Sequence, residues 1–400
     1  MRLACVTQHA VLDQRAWAKT WPGIGGACYH LTTALQQLSV PVDFLGSLRD
    51  SPVFLAPLKT FVYDRVFRQR YYAWAEPSLL RYYSRQISSM LAESHADIVF
   101  CPTNARPIAY LDCKQPIVLW TDAPFSALID FYEYLSNLSR ETRTALLRME
   151  AAALRRCARV IYSSEWAAEA AIRDYVLEPS KVTVVPWGAN LDVAPSASEA
   201  QFMIDSRTPQ PYRLLFVGMW WERKGGDIAL AVAQQLNARG LPTELTVVGC
   251  ESTGAEPLPS FVHILGFLDK STDHGREAMQ RAFFQSHFLI LPSRADCTPL
   301  VIAEANAFGV PCLTSDVGGM ATLVRDGRNG RKFSKQARIA EYCDYIMSVM
   351  RNYESYRRLA WSAFQEYESR LNWTVAARMT RDILEDVVMR TNAGSGIAHA

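Results

Sequence analysis

Twice along this chain, short apolar runs alternate with stretches of helical period. The first series comprises RLACVTQ (2–8), VDFLG (42–46), DIVFCP (97–102), PIVLWTD (116–122), ARVIYSS (158–164) and KVTVVPWG (181–188). Helical patterns lie between them, notably ETRTALLRMEAAALRRCA (141–158). Runs that are apolar throughout, rather than at alternate positions, mark strands buried on both faces. Such strands separated by helices specify a parallel sheet covered on both sides. After DVAPSASEAQFMIDSRTPQP (192–211), rich in Ser, Pro and Ala, the rhythm restarts. YRLLFVG (212–218), ELTVVG (244–249), VHILG (262–266), HFLILPS (287–293) and PCLTS (311–315) form the second series.

The predicted fold class is therefore α/β, with two Rossmann-like domains in tandem. Residues 1–191 form the first domain, 192–211 the linker and 212–372 the second domain. The amphipathic segment 373–390 is expected to pack back on the first domain, and the tail 391–400 to be disordered. A length of 400 residues fits two domains better than one core. Ligands of such sheets bind at the carboxyl ends of strands, so the cleft between two facing sheets is the expected site.

Composition excludes several classes. A net charge of +2 leaves no electrostatic footprint for nucleic acid, and no nucleic-acid partner is expected. No apolar run approaches the ~20 residues that span a bilayer. The start, MRLACVTQHAV, is too quickly polar for a signal peptide and reads as a first strand. Nine cysteines with no CxxC pair point to reduced, mostly buried thiols in a cytoplasmic protein. Seven histidines without ligand spacing predict no bound zinc.

The stretch ADCTPLVIAEANAFGVP (295–311) carries the chemistry. Thr298 is a good helix N-cap, and Pro299 suits the first helical position because its missing N–H had no partner there. Gly309 suits the residue after the helix, and Pro311 stops it. A short, mostly buried helix is predicted over 299–308, with Asp296 on the loop before it and Glu304 inside it. A helix N-terminus attracts phosphate. An acid beside it is placed to accept hydrogen bonds from hydroxyls. Phosphate with hydroxyls describes a sugar phosphate or a nucleotide sugar. The other reading is an acid that favours the helix dipole and a Glu paired with a nearby Arg.

The run ADCTPLVIAEANAFGVPCLTSDVGG resembles the C-terminal signature of retaining, nucleotide-sugar-dependent glycosyltransferases of family four, which have the GT-B fold. LFVGMWWERKGGDIAL (215–230), TVVPWGANLD (183–192) and VRDGRNGRKF (324–333) resemble further family segments in order and spacing. The last resembles the hairpin-like end of the donor domain. The resemblance is looser in the first half of the chain. It implies that Glu304 holds the ribose hydroxyls and that Asp296, where the family usually has Glu, contacts the donor sugar. It places Thr298, Pro299 and Leu300 along the diphosphate and sugar, and Gly218 at the donor. The base is read by backbone at Gly266, Phe267 and Leu268. Arg223 and Lys224 match the family's cationic pair, although Met219 departs from the pattern directly after Gly218. Fixed cations stabilise the charge that builds on a leaving diphosphate. The other reading of Arg223–Gly226 is a solvated basic turn.

In the first half, PGIGG (22–26) is read as a loop, either merely flexible or, as the resemblance implies, one whose Gly25 and Gly26 approach the diphosphate. Asp122 stands where many members have a histidine nearby; it either contacts sugar or acceptor or caps the next helix. His9 is an acceptor-site residue or a packed histidine, and Trp220 and Trp221 either wall the donor site or pack. Segment 61–86, rich in aromatics and arginines, is either a peripheral membrane contact or a pair of ordinary packed helices. No DxD-type pair stands out, so no metal or other cofactor is expected. The expected activity is transfer from a nucleotide diphosphate sugar to a glycan or lipid-linked acceptor in bacterial surface synthesis. A synthase with a small acceptor, served by a cationic pocket at Arg106 or the Arg-rich segment, is the alternative. So are a nucleotide-sugar epimerase and a non-catalytic donor-binding subunit.

Overall fold

The computed structural model describes residues 1–14, 22–250 and 258–397. The chain divides into two compact units, Met1–Val185 with Ala376–Ala400, and Pro186–Val375. Each unit holds one six-stranded sheet in which every strand pair is parallel.

In the first unit the strands are β1 (Leu3–Val6), β2 (Val42–Leu45), β3 (Ile98–Thr103), β4 (Ile117–Thr121), β5 (Cys157–Tyr162) and β6 (Val182–Val184), in the order β2-β1-β3-β4-β5-β6. β1 and β4 are buried along their whole length, as wholly apolar runs require. In the second unit β7 (Tyr212–Val217), β8 (Thr243–Val248), β9 (Val262–Gly266), β10 (Phe288–Leu291), β11 (Cys312–Ser315) and β12 (Gly330–Phe333) run in the order β12-β11-β10-β7-β8-β9. Its core is built on Leu214, Phe216, Val247, Leu289 and Ile290, all buried. Truncating one such side chain to Ala typically costs about 2–5 kcal/mol. The chain order reverses between β1 and β3 in one sheet and between β7 and β10 in the other. Loops leaving such adjacent strands part to opposite faces and open a crevice at their carboxyl ends.

Several expectations need correction. The stretch 192–211 contains the helix Ala197–Ser206, opened by a Ser196–Glu199 capping box, and its Ile204 joins the second unit's core. The sequence pattern hid it because only Ala200 and Ile204 are buried. Arg207, just beyond, is buried and donates to the carbonyls of Phe308 and Gly309 at 2.6 and 2.7 Å. It thereby caps the end of the helix that carries Glu304. The helix predicted over 299–308 runs Val301–Ala307, and Leu300 rather than Thr298 holds the capping position. Gly309 does take the left-handed conformation, with φ 60°. The expected hairpin-like end at 324–333 is a turn feeding β12, which pairs parallel to β11. PGIGG is no loop: Gly25 and Gly26 lie inside the helix Pro22–Gln37. The last helix spans Trp373–Ile397, past the predicted end of order at residue 390.

Segment 61–86 splits in two. The helix Pro77–Ala92 is packed, burying Leu79, Leu80, Tyr83, Ile87 and Leu91. The helix Ala56–Val62 and the π-helical turn Tyr63–Phe67 bury no residue. Among the described residues no helix is long and apolar enough to cross a membrane.

Candidate functional site

The crevice of the second unit opens where β7 and β10 diverge. Gly218 follows β7, and its N–H donates to Val248 O at 2.9 Å. A Cβ there would stand 2.7 Å from Lys224 Cγ, so only glycine lets the lysine stem lie across the strand end. Lys224 closes the four-residue helix Trp221–Lys224, which Gly225 terminates at φ 77°. A side chain on Gly225 would meet the Pro292 carbonyl at 2.2 Å, so the turn sits directly on the end of β10. Trp221 packs edge-on against Phe216, whereas Trp220 is 65% exposed.

This contact brings together residues far apart in sequence. Lys224 Nζ pairs with Asp296 Oδ2. Arg223 Nη1 lies 3.9 Å from the same oxygen and donates to Ala295 O at 2.8 Å. Ser293 Oγ adds a 3.3 Å hydrogen bond. Asp296 is 5% exposed, a buried carboxylate held against two cations. Glu304, 3% exposed, is met by Lys270, whose Nζ stands 2.7 Å from Oε1. Leu300 O accepts the Glu304 N–H and Pro299 O the Ile302 N–H, so the turn over Thr298, Pro299 and Leu300 leads straight into the Glu304 helix. Gly266, at φ 64°, has open space where a side chain would be, and Phe267 beside it is 40% exposed. Arg223, Lys224 and Asp296 are thus brought together, and Glu304 forms a separate pair with Lys270. Sequence reasoning missed Lys270, which follows Leu268 by two positions but 34 residues before its partner Glu304. It also missed Ser293; a lone Ser after a strand carries no signal.

In the first unit Asp122 follows β4. Its Oδ1 accepts the N–H of Ala123 at 2.9 Å, and its carbonyl accepts from Ser163 Oγ at 3.0 Å. It does not cap the next helix, Phe125–Leu128. The Phe125 N–H goes instead to Glu150 Oε2 at 2.7 Å, and Tyr175 donates to the same oxygen at 2.5 Å. Glu150 is buried, and desolvation pushes its carboxyl up to about 8. At neutral pH it is largely a protonated acid beneath the Asp122 loop. Nothing in the helical pattern 141–158 distinguished it from a solvent-facing Glu. His9 is exposed just past β1, and partial desolvation followed by the charge of Arg106 lowers its pKa. Among the described residues no group of three His, Cys, Asp or Glu is placed to hold a metal ion.

Family models divide the chain much as the sheets do. Residues 22–193 match Glycosyltransferase Family 4, and residues 211–352 match Glycosyl transferases group 1. Sucrose-phosphate synthase from Thermosynechococcus elongatus superposes with a TM-score of 0.69 at 17% identity, covering 98% of this chain and 100% of the other. The chain has the GT-B fold, and each of its two halves matches a glycosyltransferase model. Another structure of this fold, Anabaena HepE in complex with UDP and glucose, has a TM-score of 0.61 at 16% identity, covering 96% and 99%. Identities this low establish the fold. By sequence, D-inositol 3-phosphate glycosyltransferase 2 of Catenulispora acidiphila is 30% identical over 242 residues, 56% of this chain and 55% of the relative. The chain spans about half the length of the curated relatives it matches. Gly218, Lys224, Asp296 and Glu304 all lie in the segment matched by Glycosyl transferases group 1.

Proposed function

We propose that the protein transfers a sugar from a nucleotide diphosphate sugar to an acceptor hydroxyl, with retention at the anomeric carbon. The observation that carries this is the convergence of Arg223 and Lys224 on Asp296 at the second unit's strand reversal. Held by a buried carboxylate, the two cations are positioned before the reaction starts. As the bond from the anomeric carbon to phosphate breaks, negative charge grows on the diphosphate, and fixed cations stabilise that state most. The acceptor oxygen bonds to the same carbon, and its proton passes to a phosphate oxygen, so no separate general base is assigned. Asp296 accepts from sugar hydroxyls. Glu304 accepts from the ribose, with Lys270 orienting its other oxygen. Gly218, Thr298, Pro299 and Leu300 line the donor, Gly266 and Phe267 the base, and Gly25 and Gly26 the diphosphate. Asp122 contacts sugar or acceptor. The reaction so written uses no metal or other cofactor.

The proposed acceptor is a glycan or lipid-linked glycan in bacterial surface polysaccharide or glycolipid synthesis, reached from the cytoplasmic side of the membrane. The exposed stretch 54–67 supports this. Phe54, Leu58, Phe61, Val66 and Phe67 are 57–87% exposed within it, and the exposed Arg65 and Arg68 lie alongside. A basic, apolar surface of this kind suits an anionic bilayer interface. The second reading is a small phosphorylated acceptor, favoured by the names of the C. acidiphila relative and the T. elongatus structure.

Thermal shifts with UDP, GDP, ADP and TDP sugars test the donor. At a hundredfold excess over Kd one ligand should add about 2.7 kcal/mol. NMR of the product from an α-linked donor tests the stereochemistry. No shift with any sugar would sink the donor site, and a β-linked product would sink retention.

A further inference from the structure

The first unit has a strand reversal of its own, between β1 and β3, and the loops leaving those strands carry a polar cluster outside the donor chemistry. Gln8 follows β1; Asn104 and Arg106 follow β3. Asn104 Nδ2 donates to Gln8 Oε1 at 3.2 Å and ties the two loops. Asn104 Oδ1 accepts the Arg106 N–H at 3.0 Å and sets the turn Arg106–Ile108. The guanidinium then lies between aromatic faces, 4.8 Å from the ring centre of Trp74 and 6.0 Å from that of Tyr83.

Its hydrogen bonding is incomplete. Arg106 Nε is buried without a hydrogen-bond partner. The nearest answering groups are Tyr83, which bonds the guanidinium, and Asp50, which attracts it and accepts the Tyr83 hydroxyl. Desolvation lowers the Arg106 pKa, against the weaker pull of Tyr83 and Asp50. Cation–π contact offsets part of the desolvation but satisfies no N–H. A buried polar group left unmatched calls for an explanation, and a guanidinium fork matches the geometry of a phosphate or a carboxylate.

We propose that Arg106 is the anchor of a phosphate subsite at the β1–β3 crevice, binding a phosphate carried by the acceptor. That the phosphate belongs to the acceptor rests on the proposed function; the subsite itself does not. A soluble sugar phosphate and a lipid phosphate headgroup present the same chemistry, so the experiment must separate them.

The full chain is titrated with inorganic phosphate at constant ionic strength, following thermal stability, with saturating UDP present to fill the donor site. Lys224→Ala repeats the titration with the donor cation removed. Phosphate should stabilise where chloride does not, and Arg106→Gln should weaken phosphate binding about tenfold or more while leaving the UDP shift intact. Arg106→Lys, which keeps charge but not the fork, should fall between. Glucose 6-phosphate binding more tightly than inorganic phosphate assigns a soluble acceptor. Arg106-dependent binding to phosphatidic acid vesicles over phosphatidylcholine vesicles assigns a lipid one. Equal phosphate affinity in wild type and Arg106→Gln, or no effect beyond that of chloride, overturns the subsite and leaves Arg106 a packing cation. A wild-type chain that ignores every nucleotide but binds phosphate through Arg106 would sink the donor reading alone.

Discussion

The two sheets place charge at their strand reversals in opposite ways. In the second unit each acid meets a lysine: Asp296 with Lys224, Glu304 with Lys270. In the first unit Arg106 lies between Trp74 and Tyr83 with its Nε unmatched. The buried titratable groups contrast as well. Glu150 in the first unit is held protonated, with its pKa raised to about 8. His287 in the second is held neutral: burial lowers its pKa to about 3, while its ring nitrogens bond the Arg213 N–H and the Thr208 carbonyl. Similar α/β folds thus carry one cluster whose acids are each paired with a lysine and one whose arginine keeps an unmatched N–H. On the proposed function, the second unit is the donor module, with cations fixed in advance, and the first is the acceptor module.

The largest effect expected from this contrast is on turnover. Lys224→Ala should lower kcat roughly a hundredfold, because it removes charge stabilisation made in the transition state. A change only in KM would mean that Lys224 binds ground state and transition state equally. Next comes Glu304→Ala, which should weaken donor binding about tenfold or more by removing a charged acceptor of ribose hydroxyls. Calorimetry with the matching nucleoside diphosphate measures it, and unchanged affinity would remove Glu304 from the site.

The pH dependence of stability should distinguish the units. Between pH 4.5 and about 8 folded Glu150 keeps a proton that the unfolded chain releases, so its contribution to stability falls as pH rises through that window. Between pH 6.5 and about 3 the unfolded chain protonates His287 while the folded chain does not, so stability falls as pH drops. Glu150→Gln should flatten the alkaline limb of urea midpoints, and His287→Gln the acid limb. If the units unfold in separate steps, the alkaline effect should fall on the first unit's step. An unchanged alkaline limb in Glu150→Gln would mean that Glu150 is ionised in the folded chain.

The smallest effect belongs to the exposed stretch. Phe61→Ser with Phe67→Ser should reduce sedimentation with anionic vesicles several-fold while leaving stability within about 0.5 kcal/mol, since neither side chain is buried. Unaltered sedimentation would exclude this face from lipid contact, and a loss of dimer instead would reassign it to a second copy of the chain.

Eleven of the twelve strands among the described residues were readable as apolar runs; for the central ones, burial on both faces of a parallel sheet writes itself into consecutive residues. β12 was not: its GRKF carries charge and lies at the sheet edge. The acids at 296 and 304, the basic turn and the glycines at 218, 225 and 309 were equally legible, since each answers to local chemistry or to a family spacing. The helix Ala197–Ser206 was not, because too few of its side chains are buried to set a period. Nor were the partners. Lys224 meets Asp296 across 72 positions and Arg207 meets Phe308 across 101. The surroundings of Arg106 and Glu150 could not be read from sequence: Trp74 and Tyr83 flank the one, and the helix Phe125–Leu128 covers the other. The exposed face of 54–67 has the apolar content of a packed helix, and folding leaves it uncovered. Periodicity is local and survives in the unfolded chain. Which charge meets which, and which apolar face stays bare, depends on contacts that exist only once the sheets have assembled.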